Sequence, residues 1–286
     1  MTQRRPLEAA TARPRRARAS AWLAACSLVI LSAASGAQAQ PATQAARNSP
    51  TASYGLGAAN THLLSGTVIV IDPGHNPGNA GHPVQINRLV QFGAGMKPCD
   101  TTGTATIDGY TEAAYTLDVA YRVRALLGAA GAHVILTHTR TSPAWGPCIT
   151  ERAAIGNRYH AAAAVSIHAD GGPANGRGFS TIIPATPLPA IGLTGTMITH
   201  DRSLAIAIRD EYQSATAMPY STYLGNRGIY ASNAYGGTNL SRVPKIFIET
   251  GNMRNQTDAA LLESPAFRQR AARGIASGIV RFVANR

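Results

Sequence analysis

Four short aliphatic, β-branched runs restrict what this chain can fold into: Thr67–Ile71, Ala132–Leu136, Ala163–Ile167 and Lys245–Ile248. Each is too short for an ordinary helix and too continuously apolar for a strand with one wet face. Runs of this kind are strands buried on both sides, as in a parallel sheet covered by helices. Phe179–Ile183 and Gly228–Tyr230 are weaker strand candidates. Between the first two runs, Tyr115, Val119, Val123, Leu126 and Ala130 recur at helical spacing. Asp118 and Arg122 are paired at i, i+4 on the polar side, with Gly128 and Gly131 available to end the helix. Thr150 is expected to cap a helix running to about Ala161, and Leu204, Ile208 and Tyr212 mark another. The last helix should start at Ser264 and Pro265, with Phe267, Ala271, Ile275, Gly278 and Phe282 on one face. The expected class is α/β: a single domain with a twisted, mixed, mostly parallel sheet and helices on both faces.

The first 39 residues read differently. Six arginines from Arg4 to Arg18 precede an apolar stretch, Ala19–Ala34, and the small-residue site Ala37, Gln38, Ala39. That is the three-part pattern of an export signal, so the mature chain is expected to begin near Gln40. A membrane anchor fits less well, because the stretch is rich in Ala and Ser and no basic stop-transfer cluster follows it. A lipoprotein-like box at Leu23–Cys26 lies too soon after Arg18 for a full apolar core, and Arg15–Arg16 is a weak twin-arginine match. Residues 40–62 form a Pro/Ala/Ser/Thr-rich lead-in, leaving 63–286 as the folded domain.

The whole chain carries +12; beyond the signal, 20 basic and 13 acidic residues remain, a balance of +7. That excess is scattered arginine without basic clusters or interleaved aromatics, which argues against nucleic acid as a partner. In an exported protein it suits an anionic wall polymer or simple solubility. Two cysteines remain after the signal, Cys99 and Cys148, an even number suited to one disulfide in an oxidising compartment, with two free thiols as the alternative.

In open parallel sheets, ligands bind beyond the carboxyl ends of the strands. There the sequence places His75 after Ile71-Asp72-Pro73-Gly74, His168 after Ile167, and Glu249 after Ile248, while Glu112 opens the first long helix. Each alone has an ordinary structural explanation: a loop histidine, a satisfied core imidazole, a paired carboxylate, a helix N-terminus favouring an acid. Together, two histidines and a carboxylate with a position left for water make a catalytic zinc set. His138 reads as a plain polar exit from its strand, and His62, His82, His133, His160 and His200 carry no motif. The H-E-x-x-H helix, the G-x-S-x-G elbow and the phosphate loop are all missing from the sequence.

From Val68 to the C-terminus, an ordered series of segments resembles the zinc-dependent N-acetylmuramoyl-L-alanine amidases. The segments are VIVIDPGHNPG, Glu112 opening its helix, VILTHTRT, ERAAIGNRYHAAAAVSIHAD and RVPKIFIETGNMRNQTDAALLESPAFRQRAARGIASGI. The resemblance implies hydrolysis of the amide joining muramic acid to the first L-alanine of the peptidoglycan stem. It implies Zn²⁺ held by His75, Glu112 and His168, with Glu249 as the catalytic carboxylate that takes and returns a proton. It also implies peptidoglycan or muropeptide fragments as partners, a monomer with no lasting membrane anchor, and a place in the periplasm, cell wall or medium. The loop after His75 departs from the family's Gly- and acid-rich pattern. The long stretch from Val84 to Asp108 contains Cys99, and a Cys99–Cys148 bridge would steady Glu112 at its end. Substrate would be gripped by the domain itself, with polar groups of Tyr220–Asn239 as contributors. A zinc peptidase cutting within the stem, or a wall-binding protein without turnover, are the competing readings. When the full chain is expressed with an active export system, intact-mass measurement of the secreted form should give a chain starting at Gln40; a retained N-terminus would overturn the signal.

Overall fold

The computed structural model describes residues 62–286, so the expected signal and nearly all of the lead-in lie outside the described residues. Its elements are, in chain order, β1 (Val68–Pro73), α1 (Pro83–Ile86), β2 (Leu89–Gln91), β3 (Met96–Pro98), α2 (Glu112–Ala129), β4 (His133–Leu136), α3 (Ile149–Arg158), β5 (Ala163–Asp170), β6 (Ser180–Ile183), α4 (Gly195–Thr216), β7 (Ile229–Ala231), α5 (Gly236–Asn239), β8 (Lys245–Asn252), α6 (Gln256–Glu263) and α7 (Pro265–Ala284). Six strands form one sheet in the order β4-β1-β5-β8-β6-β7, and β2 pairs with β3 as a separate hairpin. β4, β1, β5 and β8 run parallel. β6 returns antiparallel to β8, and β7 lies parallel to β6.

Alternation along the central strands divides the residues between two faces. Ile69, Ile71, Val165, Ile167, Ile246 and Ile248 point into the main core, which is completed by α2, α4 and α7. Helices α4 and α7 pack closely because of two glycines. A Cβ on Gly274 would sit 2.6 Å from the Tyr212 Cα, and one on Gly278 would sit 2.5 Å from the Ile208 Cα. On the opposite face, Val70 and Ala164 meet Ile155 of α3 in a smaller apolar cluster. Two residues further along each strand, that same face stops being apolar and carries Asp72, Ser166, His168, Phe247 and Glu249 into a cleft.

The structure extends the sequence reading in three places. β5 continues through His168 to Asp170 and β8 through Glu249 to Asn252, because these extensions pair with each other: His168 sits opposite Glu249, and Asp170 opposite Asn252 after a bulge. Both side chains therefore stand on strands instead of in loops. Helix α3 is capped at Cys148 and not at Thr150; the Cys148 N–H donates to the Glu151 carboxylate at 2.9 Å, and the helix ends at Arg158. The stretch expected as a long loop holds α1 and the β2–β3 hairpin.

Cys99 and Cys148 are joined in a disulfide that fastens the end of this hairpin to the start of α3. Ile149 N donates to Cys99 O at 2.8 Å beside it. The residues directly after Cys99, Asp100 and Thr101, lie against His75, so the bridge acts nearest to that histidine and only remotely on Glu112. Replacing both cysteines by serine should cost about 2–4 kcal/mol of stability and weaken Zn²⁺ binding in titration calorimetry. Unchanged melting temperature and affinity would remove the bridge from both roles.

Candidate metal centre

His75, Glu112 and His168 offer donor atoms that all lie within 4.8 Å of one another. Three elements deliver them: the turn after β1, the first turn of α2, and the end of β5. The Glu112 carboxylate stands between the two imidazoles, 3.0 Å from His75 Nε2 and 2.8 Å from His168 Nδ1. It also accepts the backbone N–H of Thr104 at 3.0 Å and of Ala169 at 3.2 Å. Burial opposes its charge, but the hydrogen bonds from both imidazoles hold the Glu112 carboxyl far below the usual carboxylate range. Thr111 caps α2 by accepting from Ala114 N, which fixes where Glu112 starts.

Each imidazole is oriented by a further contact. His75 Nδ1 lies 3.0 Å from Thr101 O, leaving Nε2 to face Glu112. His75 adopts φ 61°, a left-handed backbone that aims the side chain back across the strand end. His168 stacks on Phe247 with ring centroids 3.9 Å apart, and Tyr235 meets Phe247 edge-on at 4.9 Å. Two glycines make room. A Cβ on Gly74 would come within 2.3 Å of the His168 ring, and one on Gly103 within 2.7 Å of His75 and 2.8 Å of Glu112.

Glu249 faces His168 across the β5–β8 ladder. It is 8% exposed, and its Oε2 has no hydrogen-bond partner among the described residues. Burial, reinforced by the negative charges of Glu112 and Asp170, pushes its carboxyl well above the ordinary range. Asp170 in turn accepts from Tyr223 at 2.9 Å. Of the Tyr220–Asn239 stretch, Tyr235, Gly236 and Gly237 line the cleft, whose volume is about 310 Å³.

Beneath these three donors lies a buried ionic network that the sequence alone did not reveal. Arg152 of α3 donates from Nη1 to Asp72 Oδ1 at 2.9 Å and Pro73 O, from Nη2 to His75 O at 2.9 Å and Asp100 Oδ2 at 2.8 Å, and from Nε to Pro147 O at 2.8 Å. All five of its N–H groups are thereby used. Asp72 Oδ2 takes Lys245 Nζ at 3.0 Å and Ser166 Oγ at 2.9 Å, and Oδ1 also takes Thr137 Oγ1 at 2.7 Å. Burial raises the Asp72 carboxyl, but the charges of Lys245 and Arg152 outweigh it and keep that group ionised. The signal was present in the sequence: Asp72 follows an apolar strand as Glu249 does, and burial there demands a partner for the same reason. His138 differs from its expectation as an open polar exit, being 2% exposed with neither ring nitrogen partnered among the described residues. Burial and the nearby Arg152 charge lower it to about 4, so it is a neutral packing residue.

The class is thus an α/β domain presenting a His, Glu, His donor set, with a buried carboxyl beside it, at the carboxyl edge of a parallel sheet. Comparison with known proteins places it more narrowly. The family model for N-acetylmuramoyl-L-alanine amidase matches residues 69–281. The chain is 40% identical over 222 residues to N-acetylmuramoyl-L-alanine amidase Rv3717 of Mycobacterium tuberculosis, covering 77% of this chain and 88% of that protein. Its fold matches the N-acetylmuramyl-L-alanine amidase Ami1 of Mycobacterium smegmatis with a TM-score of 0.71 at 38% identity, over 78% of this chain and 99% of that one. Ami1 of Mycobacterium abscessus gives 0.69 at 37% identity, over 76% and 99%. The chain belongs to the N-acetylmuramoyl-L-alanine amidase family.

Removing Arg152 would leave buried Asp100 without its arginine partner and take one of two cations from Asp72. Arg152→Met should lower stability by about 3–5 kcal/mol, whereas Arg158→Met on the exposed side of α3 should stay within about 0.5 kcal/mol of the parent. Urea denaturation of both variants checks this, and equal midpoints would show that the network carries no weight.

Proposed function

We propose that residues 63–286 form the catalytic domain of an exported peptidoglycan hydrolase. It would cleave the amide between N-acetylmuramic acid and the L-alanine of the stem peptide, with Zn²⁺ held by His75, Glu112 and His168 and proton transfer by Glu249. The observation that carries the reading is the meeting of those three donors, within 4.8 Å, opposite a buried carboxyl that lacks a partner. The donor chemistry fits the ion: imidazole and carboxylate suit Zn²⁺, and three protein ligands leave a further position open. When bound, the ion supplies Lewis-acid polarisation of the scissile carbonyl and acidifies water.

The chain's own groups account for the rest. His75 and His168 are locked in orientation, the first by Thr101 and the second by Phe247, so neither must reorganise during the reaction. With a cation held beside it to offset the negative charges that raise it, Glu249 would stand ionised and take a proton from the attacking water as the carbonyl is attacked. It then delivers that proton to the departing nitrogen of L-alanine. The Tyr235–Phe247 wall keeps bulk water from competing for it.

Export is supported by the signal-like N-terminus and by a disulfide suited to an oxidising compartment. No helix among the described residues is long and apolar enough to cross a membrane. In this reading the enzyme acts in the periplasm, wall or medium, as a monomer, with muropeptides or intact peptidoglycan as its partner.

Mass spectrometry of muropeptides incubated with the mature protein should show free stem peptide and unsubstituted muramoyl sugar, lost on chelation and regained with Zn²⁺. Glu249→Gln should lower kcat by at least about 10²-fold while retaining one Zn²⁺ per chain by metal analysis. Cuts within the peptide would identify a peptidase, and metal retention without any cleavage a binding protein.

A further inference from the structure

The cleft is lined by five carboxylates, Asp72, Asp100, Glu112, Asp170 and Glu249, and by two cationic side chains, Arg152 and Lys97. Arg152 has no donor left, since all five of its N–H groups are engaged beneath the ligands. Lys97, on β3, is different. Its one hydrogen-bond partner among the described residues is the Ala234 carbonyl, at 2.7 Å. Its ammonium lies 5.3 Å from the centre of the Phe92 ring, so an aromatic face and a peptide carbonyl hold it without any counter-charge. Two of its three N–H groups have no partner among the described residues, and the side chain lines the cleft.

Lys97 also stands on the wall that shapes the metal site. Its partner Ala234 precedes Tyr235, whose ring meets Phe247, which in turn stacks on His168. Lys97 lines the same cleft as His75, Glu112, His168 and Glu249, whose volume lies at the lower end of the range for ligand sites. In a muramoyl peptide, the lactyl carboxyl is consumed in the scissile amide and the N-acetylated sugar is neutral. Negative charge near the junction therefore sits on the peptide side, at the α-carboxylate of the residue that follows L-alanine.

We infer that Lys97 is a specificity-determining residue that receives this peptide carboxylate, so the enzyme discriminates stem peptides with a free carboxylate at the second residue from those in which it is a carboxamide. The inference rests on the amidase reading and adds the substrate feature that the cleft selects. The alternative role for Lys97 is a latch, tying the β2–β3 hairpin to the loop before α5 through Ala234.

The test compares kcat/KM for muramoyl-L-alanyl-D-isoglutamate and for muramoyl-L-alanyl-D-isoglutamine, which differ only in carboxylate against carboxamide. The Zn²⁺-loaded parent should prefer the acid, and Lys97→Gln should reduce the acid-to-amide ratio by about tenfold, the loss of one charge-assisted contact. Lys97→Arg keeps the charge and should retain the preference. The same ratio, read as Kd by calorimetry in a Glu249→Gln background, separates binding from chemistry. A parent that hydrolyses both substrates without preference, or a ratio unchanged in Lys97→Gln, overturns the inference and leaves the amidase reading standing. Hydrolysis of neither substrate by the parent overturns the amidase reading and the inference with it.

Discussion

The groups around the cleft are organised on one buried carboxylate at its floor. Asp72, at the end of β1, is 2% exposed and gathers donors from four other elements or their ends: Arg152 on α3, Lys245 on β8, Ser166 on β5 and Thr137 just past β4. A lone buried carboxylate would cost several kcal/mol. Here two acids, Asp72 and Asp100, meet two bases, Arg152 and Lys245, and the group is neutral as a whole. Replacing such a network by apolar side chains is often neutral for stability, so the role this one shows is in arrangement more than in net stabilisation. What it arranges is visible: Arg152 also binds the carbonyls of Pro73 and His75, setting the strand-end turn that aims His75 at Glu112.

The parallel register then does the rest of the positioning. Asp72 lies beside Ser166 and Ser166 beside Phe247; one step further along the same face, His168 lies beside Glu249. Two rows on these strands thus hold Asp72 with Ser166 and, beyond them, the candidate ligand His168 with its neighbouring acid. A shift of one residue in any of these strands would turn its polar set into the core of Ile71, Ile167 and Ile248. The apolar alternation that builds the α2–α4–α7 core is therefore the same constraint that places the chemistry on the opposite face.

This explains how much could be read from the sequence. The continuous runs revealed the buried parallel strands, and the helical spacing of Tyr115, Val119 and Val123 revealed α2, because burial selects residue type directly. His75, His168, Glu112 and Glu249 stood out because polar groups at the ends of apolar strands require an explanation. Asp72 met the same criterion but was overshadowed by His75 three residues on. Arg152 could not be singled out: it shares its helix with a second arginine, and only the approach of Asp72 and Asp100 from remote segments distinguishes it from exposed Arg158. The extension of β5 and β8 was hidden for a related reason. Their last residues are polar and are held in the ladder by each other, a pairing between segments some 80 residues apart in sequence.

The two acids of the proposed site show how one environment can assign opposite roles to the same functional group. Glu112 and Glu249 are both buried, so desolvation pushes both toward the neutral form. Glu112 receives two backbone N–H groups and faces two imidazoles, and these donors overcome its burial and keep it an anion suited to a cation. Glu249 has an unpartnered oxygen and the negative charges of Glu112 and Asp170 for neighbours, so nothing opposes its burial. The charge on Glu112 thus helps keep a proton on Glu249. A cation held by the first would weaken that repulsion and bring the second toward the range where it can both accept and release a proton near neutrality. Ligand and proton carrier are in this sense electrostatically linked, and the separation of their affinities for protons follows from which of the two received the hydrogen-bond donors.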